Sequence, residues 1–435
     1  MLSILTHRDY RHLFLAQVIA LIGTGLSTVA LSLLAFELAG EQAGLVLGTA
    51  LTIKMLAYVF LAPISATLLR GLSRKRVLVT LDLIRAGVAL ALPFVTEVWH
   101  VYLLIFLLQS ASACFTPLFQ ASIPDLLPDK DDYTKALSLS RLAYDLENIL
   151  SPTLAALLLG FITWHSLFSG TVIGFIASAL LVLTTTLPRV LNKTVSSEPL
   201  YRKTTRGMRF YLATPRLRGL LALNFAVSSA GAMVIVNTVV LVQSKFGLTA
   251  QETATAMAFF GGGSMLAALT MPRLLERFKD RTLMFSASSL LVAGLILASV
   301  VEDVNMLHTV WVILGLGYAW VQTPSGRLIT RSCHTEDRPD LFAAQFSLSH
   351  ACWMISYPMA GYVGVYLGLS ASFILFAVAA MFAVFLAYHF WPTEVSEVLE
   401  HDHSDLPEDH PHLSGGPKRH THPYVIDDLH LRWPG

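Results

Sequence analysis

Apolar stretches of about 20 residues, separated by short polar linkers, recur along most of this chain, and few folds can hold them. A helix crossing the hydrocarbon core of a bilayer needs roughly 20 mostly apolar residues, and lipid leaves no water to satisfy exposed backbone groups. Twelve candidate spans meet that requirement: 12–38, 44–69, 77–97, 99–124, 137–160, 165–187, 217–243, 252–272, 282–301, 306–329, 341–366 and 370–391. Only 14% of the 435 residues are charged, against about 25% in a soluble domain. The expected fold class is an all-α membrane protein with twelve transmembrane helices. The polar start, Met1 to Arg11, leads into an apolar run too long for a cleavable signal peptide, so that run is read as the first span.

The linkers alternate in charge. Of the 30 Lys and Arg, 26 lie on the side of the termini and of the linkers that follow even-numbered spans, including Arg70, Arg74, Lys75, Arg76 and the stretch from Arg189 to Arg218. Lys245 alone lies on the other side, and Lys54, Arg85 and Arg141 fall within spans. The positive-inside rule then puts both termini in the cytoplasm. A net charge of +1 gives no footing for nucleic-acid binding. Three cysteines, Cys114, Cys333 and Cys352, are too few for a disulfide framework.

The two halves repeat at an offset of 206 or 207 residues. Thr116-Pro117 matches Thr323-Pro324, Pro152 matches Pro358, and Arg74-Lys75-Arg76 matches Asp280-Arg281-Thr282. Four segments follow: an N-terminal six-helix half at 1–188, a basic linker at 189–216, a C-terminal six-helix half at 217–391, and a tail at 392–435. Two pseudo-symmetric six-helix halves describe a secondary transporter with its substrate site at the midplane between them.

On these landmarks residues 1–391 resemble a carrier of the major facilitator superfamily. The gating-loop signature between spans 2 and 3 keeps its basic end as Arg74-Lys75-Arg76, with Arg70 at the usual acidic position; the second-half copy keeps Glu276-Arg277. The span-5 antiporter signature, usually Gly-Pro, reads Ser151-Pro152. The resemblance implies that spans 1, 4, 7 and 10 line the cavity. That would bring in Gln17, Thr24, Ser27, Thr28, Gln109, Ser112, Cys114, Asn224, Ser228, Ser229, Asn237, Gln322 and Thr323. It also implies that span 2 lies beside span 11. The His-rich tail and the stretch Arg141 to Glu147 are similar to bacterial nickel-resistance exporters.

Ionisable groups at mid-bilayer cost at least ~2.5–3.5 kcal/mol on insertion scales. Span 5 carries Asp145 and Glu147, and Arg141 is placed to pair with Asp145 one turn away. Span 11 carries His350 and Cys352, and the repeat aligns them in depth with Asp145 and Glu147. Carboxylate, imidazole and thiolate all ligate borderline divalent metals, so these four are candidate translocation ligands; packing roles for His350 and Cys352 stay open. Lys54, near the middle of span 2, is either a coupling residue that opposes bound metal or one half of an ion pair with Glu37. Asp82 and Arg85, three apart at the start of span 3, are expected to pair and anchor the basic loop.

The tail holds seven of the fifteen histidines, six of them in His-x-His pairs: His401/His403, His410/His412 and His420/His422, with His430 following. This spacing suits nickel, cobalt, copper or zinc. Mixed with nine Asp and Glu, such a segment is expected to be largely disordered, apart from a more apolar cap at Tyr424 to Trp433. The combined reading is a monomeric exporter of Ni2+ or Co2+ in a bacterial inner membrane, exchanging metal for protons, with no bound cofactor. A multidrug or siderophore exporter of the same fold, and a membrane metal sensor without transport, are the alternatives. No Walker A segment or nucleophile–base constellation is present, so neither ATP drive nor an enzyme is expected.

Overall fold

The computed structural model describes residues 2–61, 72–127, 129–187, 200–334, 337–391, 398–402, 418–427, 429–430 and 432–433. It is nearly all helical. The N-terminal half contains α1 (Arg8–Ala39), α2 (Ala43–Leu56), α3 (Arg74–Ala91), α4 (Val98–Leu126), α5 (Lys130–Leu158) and α6 (Ser166–Thr184). A linker helix, α7 (Leu200–Ala213), precedes the C-terminal half. That half comprises α8 (Pro215–Val239), α9 (Ala250–Arg277), α10 (Asp280–Ala298), α11 (Val304–Gln322), α12 (Ser325–Thr330), α13 (Arg338–Tyr366) and α14 (Leu369–Phe390).

Among the described residues nine segments are long and apolar enough to cross a membrane, the first of which, Arg8–Leu61, holds both α1 and α2. Two long helices fall outside that set, α5 and α13, and these are the helices that carry the ionisable candidates. Each also has an internal proline, Pro152 and Pro358. The repeat is imperfect at its other landmark. α4 continues through Pro117, whereas α11 stops at Gln322 and the chain turns through Thr323-Pro324 into α12.

The halves meet along two pairs of helices, α2 on α13 and α5 on α9. The first pair depends on glycine. A Cβ on Gly48 would stand 2.6 Å from the Tyr357 carbonyl oxygen, and one on Gly361 would stand 2.3 Å from that of Gly44. Asn237 of α8 wedges in beside them, donating from Nδ2 to the Ala360 carbonyl at 3.1 Å. Its Oδ1 lies 2.8 Å from where a Cβ on Gly44 would be. All these residues lie at the end of the bundle away from the Arg74–Arg76 linker; we call that end the far face and the linker's end the basic face.

The apolar core is divided accordingly. The larger cluster joins the far-face part of the N-terminal half (Ala20 to Met55, Val101 to Leu108, Leu167 to Phe175) to the whole C-terminal half. The smaller one is confined to the basic end of the N-terminal half, built from Tyr10, Leu13, Leu78, Phe115, Phe119, Ile123 and Leu139. One core therefore bridges the halves at the far face, and at the basic face the cores are separate.

Asp82 and Arg85 pair as expected but do not serve the loop. Both are buried, Ser178 donates to Asp82 Oδ2 at 2.8 Å, and the Arg85 guanidinium lies 4.0 Å from the Phe115 ring centre and 4.4 Å from that of Phe175. The pair ties α3 to α4 and α6. The basic loop is held by Lys75 instead, which donates to the Thr185 carbonyl at 2.9 Å.

The linker and tail are more structured than composition suggests. α7 buries Phe210 and Tyr211 and clamps the start of α13, with Arg206 2.9 Å from Asp337 and Tyr211 bonded to Gln345. In the tail, β1 (Val398–Asp402) pairs antiparallel with β2 (Arg419–Pro423). Tyr424 and Ile426 are buried in the main core cluster. Tyr424 and Ile426 belong to the segment expected to form an apolar cap, whereas β1 and β2 lie where disorder was expected and are ordered by cross-strand bonding. His403, His410 and His412 lie outside the described residues.

Gly361→Val is expected to destabilise the protein by about 1–3 kcal/mol, since a side chain there has no room against backbone. Melting of the purified chain in detergent checks this, and an unchanged melting temperature would contradict the packing.

Candidate translocation site

Lys54 lies 11 residues along α2 from Ala43, so at about 1.5 Å per residue it is ~16 Å below the far face. Its side chain lines a small, partly open cavity together with Ser27 and Thr28 of α1, Leu51, and Ile105, Leu108 and Gln109 of α4. Glu37, its candidate partner from sequence, is elsewhere. It lies at the far end of α1, more than half exposed and 3.8 Å from His165. The helix rise separates the two in depth, so that pairing is set aside.

Of the residues expected to line the cavity, Ser27, Thr28 and Gln109 do so. Others hold helices together. Gln17 accepts from Ser140 at 3.1 Å, which joins α1 to α5. Ser228 and Ser356 bond at 3.0 Å and Asn237 bonds Ala360, both joining α8 to α13. Thr24, Ser112 and Thr323 donate to carbonyls four residues back on their own helices.

His350 is placed across the boundary between the halves. Its ring stacks on Tyr58, with centroids 5.6 Å apart, and packs on Phe346 at 3.9 Å. Tyr58 belongs to a π-helical turn, Ala57–Leu61, that continues α2; such turns often occur at functional positions. The charge of Lys54 is close enough to act on the His350 ring. His350 Nδ1 is 2.7 Å from the Phe346 carbonyl. A carbonyl only accepts, so Nδ1 carries the hydrogen and donates it. In the neutral ring Nε2 then keeps its lone pair, free to take a proton or a metal.

Cys352 is not brought to His350. Two residues along a helix is a turn of about 200°, and Cys352 is buried within electrostatic reach of Tyr211 on α7. Asp145 and Glu147 fall on α5, but their side chains lie outside the described residues. Among the described residues no three His, Cys, Asp or Glu side chains converge on a point fit for a metal.

At the basic face, Glu276 and Arg277 end α9 with exposed side chains. The charge cluster of this half is formed by residues that the sequence reading did not name as gating groups. Buried Asp280 lies 3.5 Å from Arg327 and 3.2 Å from Arg331. Its signal in the sequence was the i, i+4 spacing of the two arginines and the match of Asp280 to Arg74 in the repeat.

Two helical halves, a polar cavity with a mid-depth lysine, and contact at one face define a transporter of the major facilitator type. The chain belongs to the transmembrane secretion effector family, whose sequence model matches residues 1–330. It is 23% identical over 377 residues to the uncharacterized MFS-type transporter YfiS of Bacillus subtilis (strain 168), covering 83% of this chain and 88% of that one. It is 23% identical over 292 residues to macrolide efflux protein A of Streptococcus pyogenes, covering 64% and 71%. A bacterial homolog of the human lysosomal transporter Spinster, in an inward-facing and unoccupied conformation, shares the fold with a TM-score of 0.68 at 15% identity, covering 88% and 97%. The protein is a multi-pass membrane transporter and not an enzyme.

Lys54→Met, which removes the charge but keeps the stem, is expected to uncouple transport from a pH gradient. His350→Ala and Glu147→Gln are each expected to abolish transport at unchanged protein level. Proteoliposome flux alongside immunoblots checks all three variants, and wild-type flux in His350→Ala and Glu147→Gln would remove these residues from the site.

Proposed function

We propose that this carrier exports a divalent transition metal, nickel or cobalt, from the cytoplasm across a bacterial inner membrane in exchange for protons. The observation that carries this reading is the register of the tail hairpin. His401 is the cross-strand partner of His420, and Leu399 that of His422. Because strands alternate faces with a period of two, positions 401, 420 and 422 share one face of the ribbon. His401 of the first His-x-His pair and both members of the third, nearly twenty residues apart in sequence, thus fall on one face of the ribbon, which would suit a borderline divalent metal. The positive-inside charge pattern supports a cytoplasmic location for it, on the side where the cores of the two halves are separate.

In this reading the tail captures metal and passes it to the midplane, where Glu147 or Asp145 from one half and Nε2 of His350 from the other bind it. Cys352 is the weakest of the candidate ligands, because it is buried against α7. Lys54 repels a bound cation while protonated, so metal entry and lysine protonation oppose each other. That opposition is what proton exchange requires. The halves then rock, closing at the basic face and releasing metal at the far face, as alternating access demands.

A second reading, efflux of an organic compound, is favoured by the names of several relatives, macrolide efflux protein A and multidrug resistance protein MdtL. Proteoliposomes separate the two. With an imposed proton gradient the chain is expected to move Ni2+ or Co2+, and deletion of 400–435 is expected to weaken that flux without ending it. Macrolide transport with no metal flux would overturn the metal reading.

A further inference from the structure

The described end of the tail is bound to the transporter body by apolar packing of Tyr424 and Ile426 and by one carboxylate. Asp427 Oδ1 accepts from the backbone N–H groups of Leu429 (2.8 Å) and His430 (2.7 Å) and from His430 Nδ1 (2.8 Å). Its other oxygen lies 3.3 Å from Nε2 of His334, in the loop that leads into α13. Burial alone would raise the Asp427 carboxyl, but the bonds from His430 and Leu429 outweigh it and hold the group well below the usual carboxylate range. Around this centre the turn is compact. Tyr424 packs edge-on against both His430 (4.7 Å) and Trp433 (5.3 Å), and its hydroxyl donates to the Arg432 carbonyl at 2.8 Å. His430 is almost fully buried. Beside the contact in the loop, Cys333 is buried, and burial pushes its thiol up to about 11.

We propose that the described tail end around Asp427 is a latch on the loop entering α13, closed through His334–Asp427–His430 and released when a divalent metal takes these imidazoles. An imidazole nitrogen that ligates metal has no hydrogen to donate to a carboxylate. Metal at Nδ1 of His430 or Nε2 of His334 therefore excludes that imidazole's hydrogen bond to Asp427 and weakens the closed latch. The position gives the release a consequence. α13 carries His350 and half of the glycine-packed contact with α2, and its basic end is already clamped by α7 through Asp337. Freeing the loop beside that end loosens the helix that must move when the carrier rocks. The tail then both captures metal and reports its presence to the gate. This rests on the metal-export reading for its purpose, but its test does not use transport.

Hydrogen exchange on the full-length chain in detergent is the test, with Ni2+ as the probe and Mg2+ as the control. Without metal the Leu429 and His430 amides are expected to be protected. Ni2+ is expected to cut that protection roughly tenfold, in line with the loss of about one hydrogen bond to a charged group, and Mg2+ to leave it unchanged. Asp427→Asn should lower protection without metal. His334→Ala removes only the contact to the loop; it should leave both amides protected while speeding alkylation of Cys333 by N-ethylmaleimide. Protection unchanged by Ni2+ would overturn release by metal. Slow Cys333 alkylation in His334→Ala would overturn the latch itself. Absence of Ni2+ flux with metal-sensitive protection intact would count against the export reading alone.

Discussion

The close approach of α2 and α13 at the far face is the contact on which the rest of this architecture depends. Where Gly44, Gly48 and Gly361 let backbone meet backbone, the two halves share one core. At the opposite end nothing comparable joins the described residues, and the N-terminal half closes on a small core of its own. Helix association in lipid lacks a hydrophobic driving force, so close packing at small residues and interhelical hydrogen bonds decide which surfaces adhere. Asn237 supplies such a bond within the C-terminal half, at the point where α2 also arrives.

That contact gives the buried ionisable groups their setting. Lys54 faces the cavity from one half and His350 meets Tyr58 from the other, so both lie on the surface along which the halves must slide. A lysine at this depth is costly unless it answers to water, a counter-charge or a moving substrate. The buried Asp82–Arg85 pair shows the structural solution to the same cost, with a carboxylate, a serine hydroxyl and two aromatic faces around one guanidinium. Lys54 lines the cavity at this depth, which is why the site is assigned there.

Hydropathy and charge made the spans and the two-half plan legible in the sequence, because both follow from solvent physics acting on whole segments. Rotation about each helix was not legible. Asn237 and Ser228 were expected in the cavity and are used between helices, since a family-level assignment names a helix and not its face. His350 and Cys352 were grouped by the depth that the repeat gives them, and depth does not fix the helix face, since two residues turn a helix by about 200°. The tail misled through composition. Its charges and histidines signal disorder, yet pairing of β1 with β2 and burial of Tyr424 and Ile426 are long-range events that no local window reports. Asp427, which organises the end of the tail, reads in sequence as one more acid among nine.

The central claim is that the unloaded carrier is joined at the far face and parted at the basic face. Spin-label distances on the purified chain, taken across the halves, test it most directly. One pair, Phe161 and Gln251, reports the far face, where Gly160 approaches Gln251; the other, Arg76 and Lys279, reports the basic face. The account predicts a short, narrow distance for the first pair and a long, broad one for the second in metal-free protein. A short distance between Arg76 and Lys279 with a long one between Phe161 and Gln251 would contradict it.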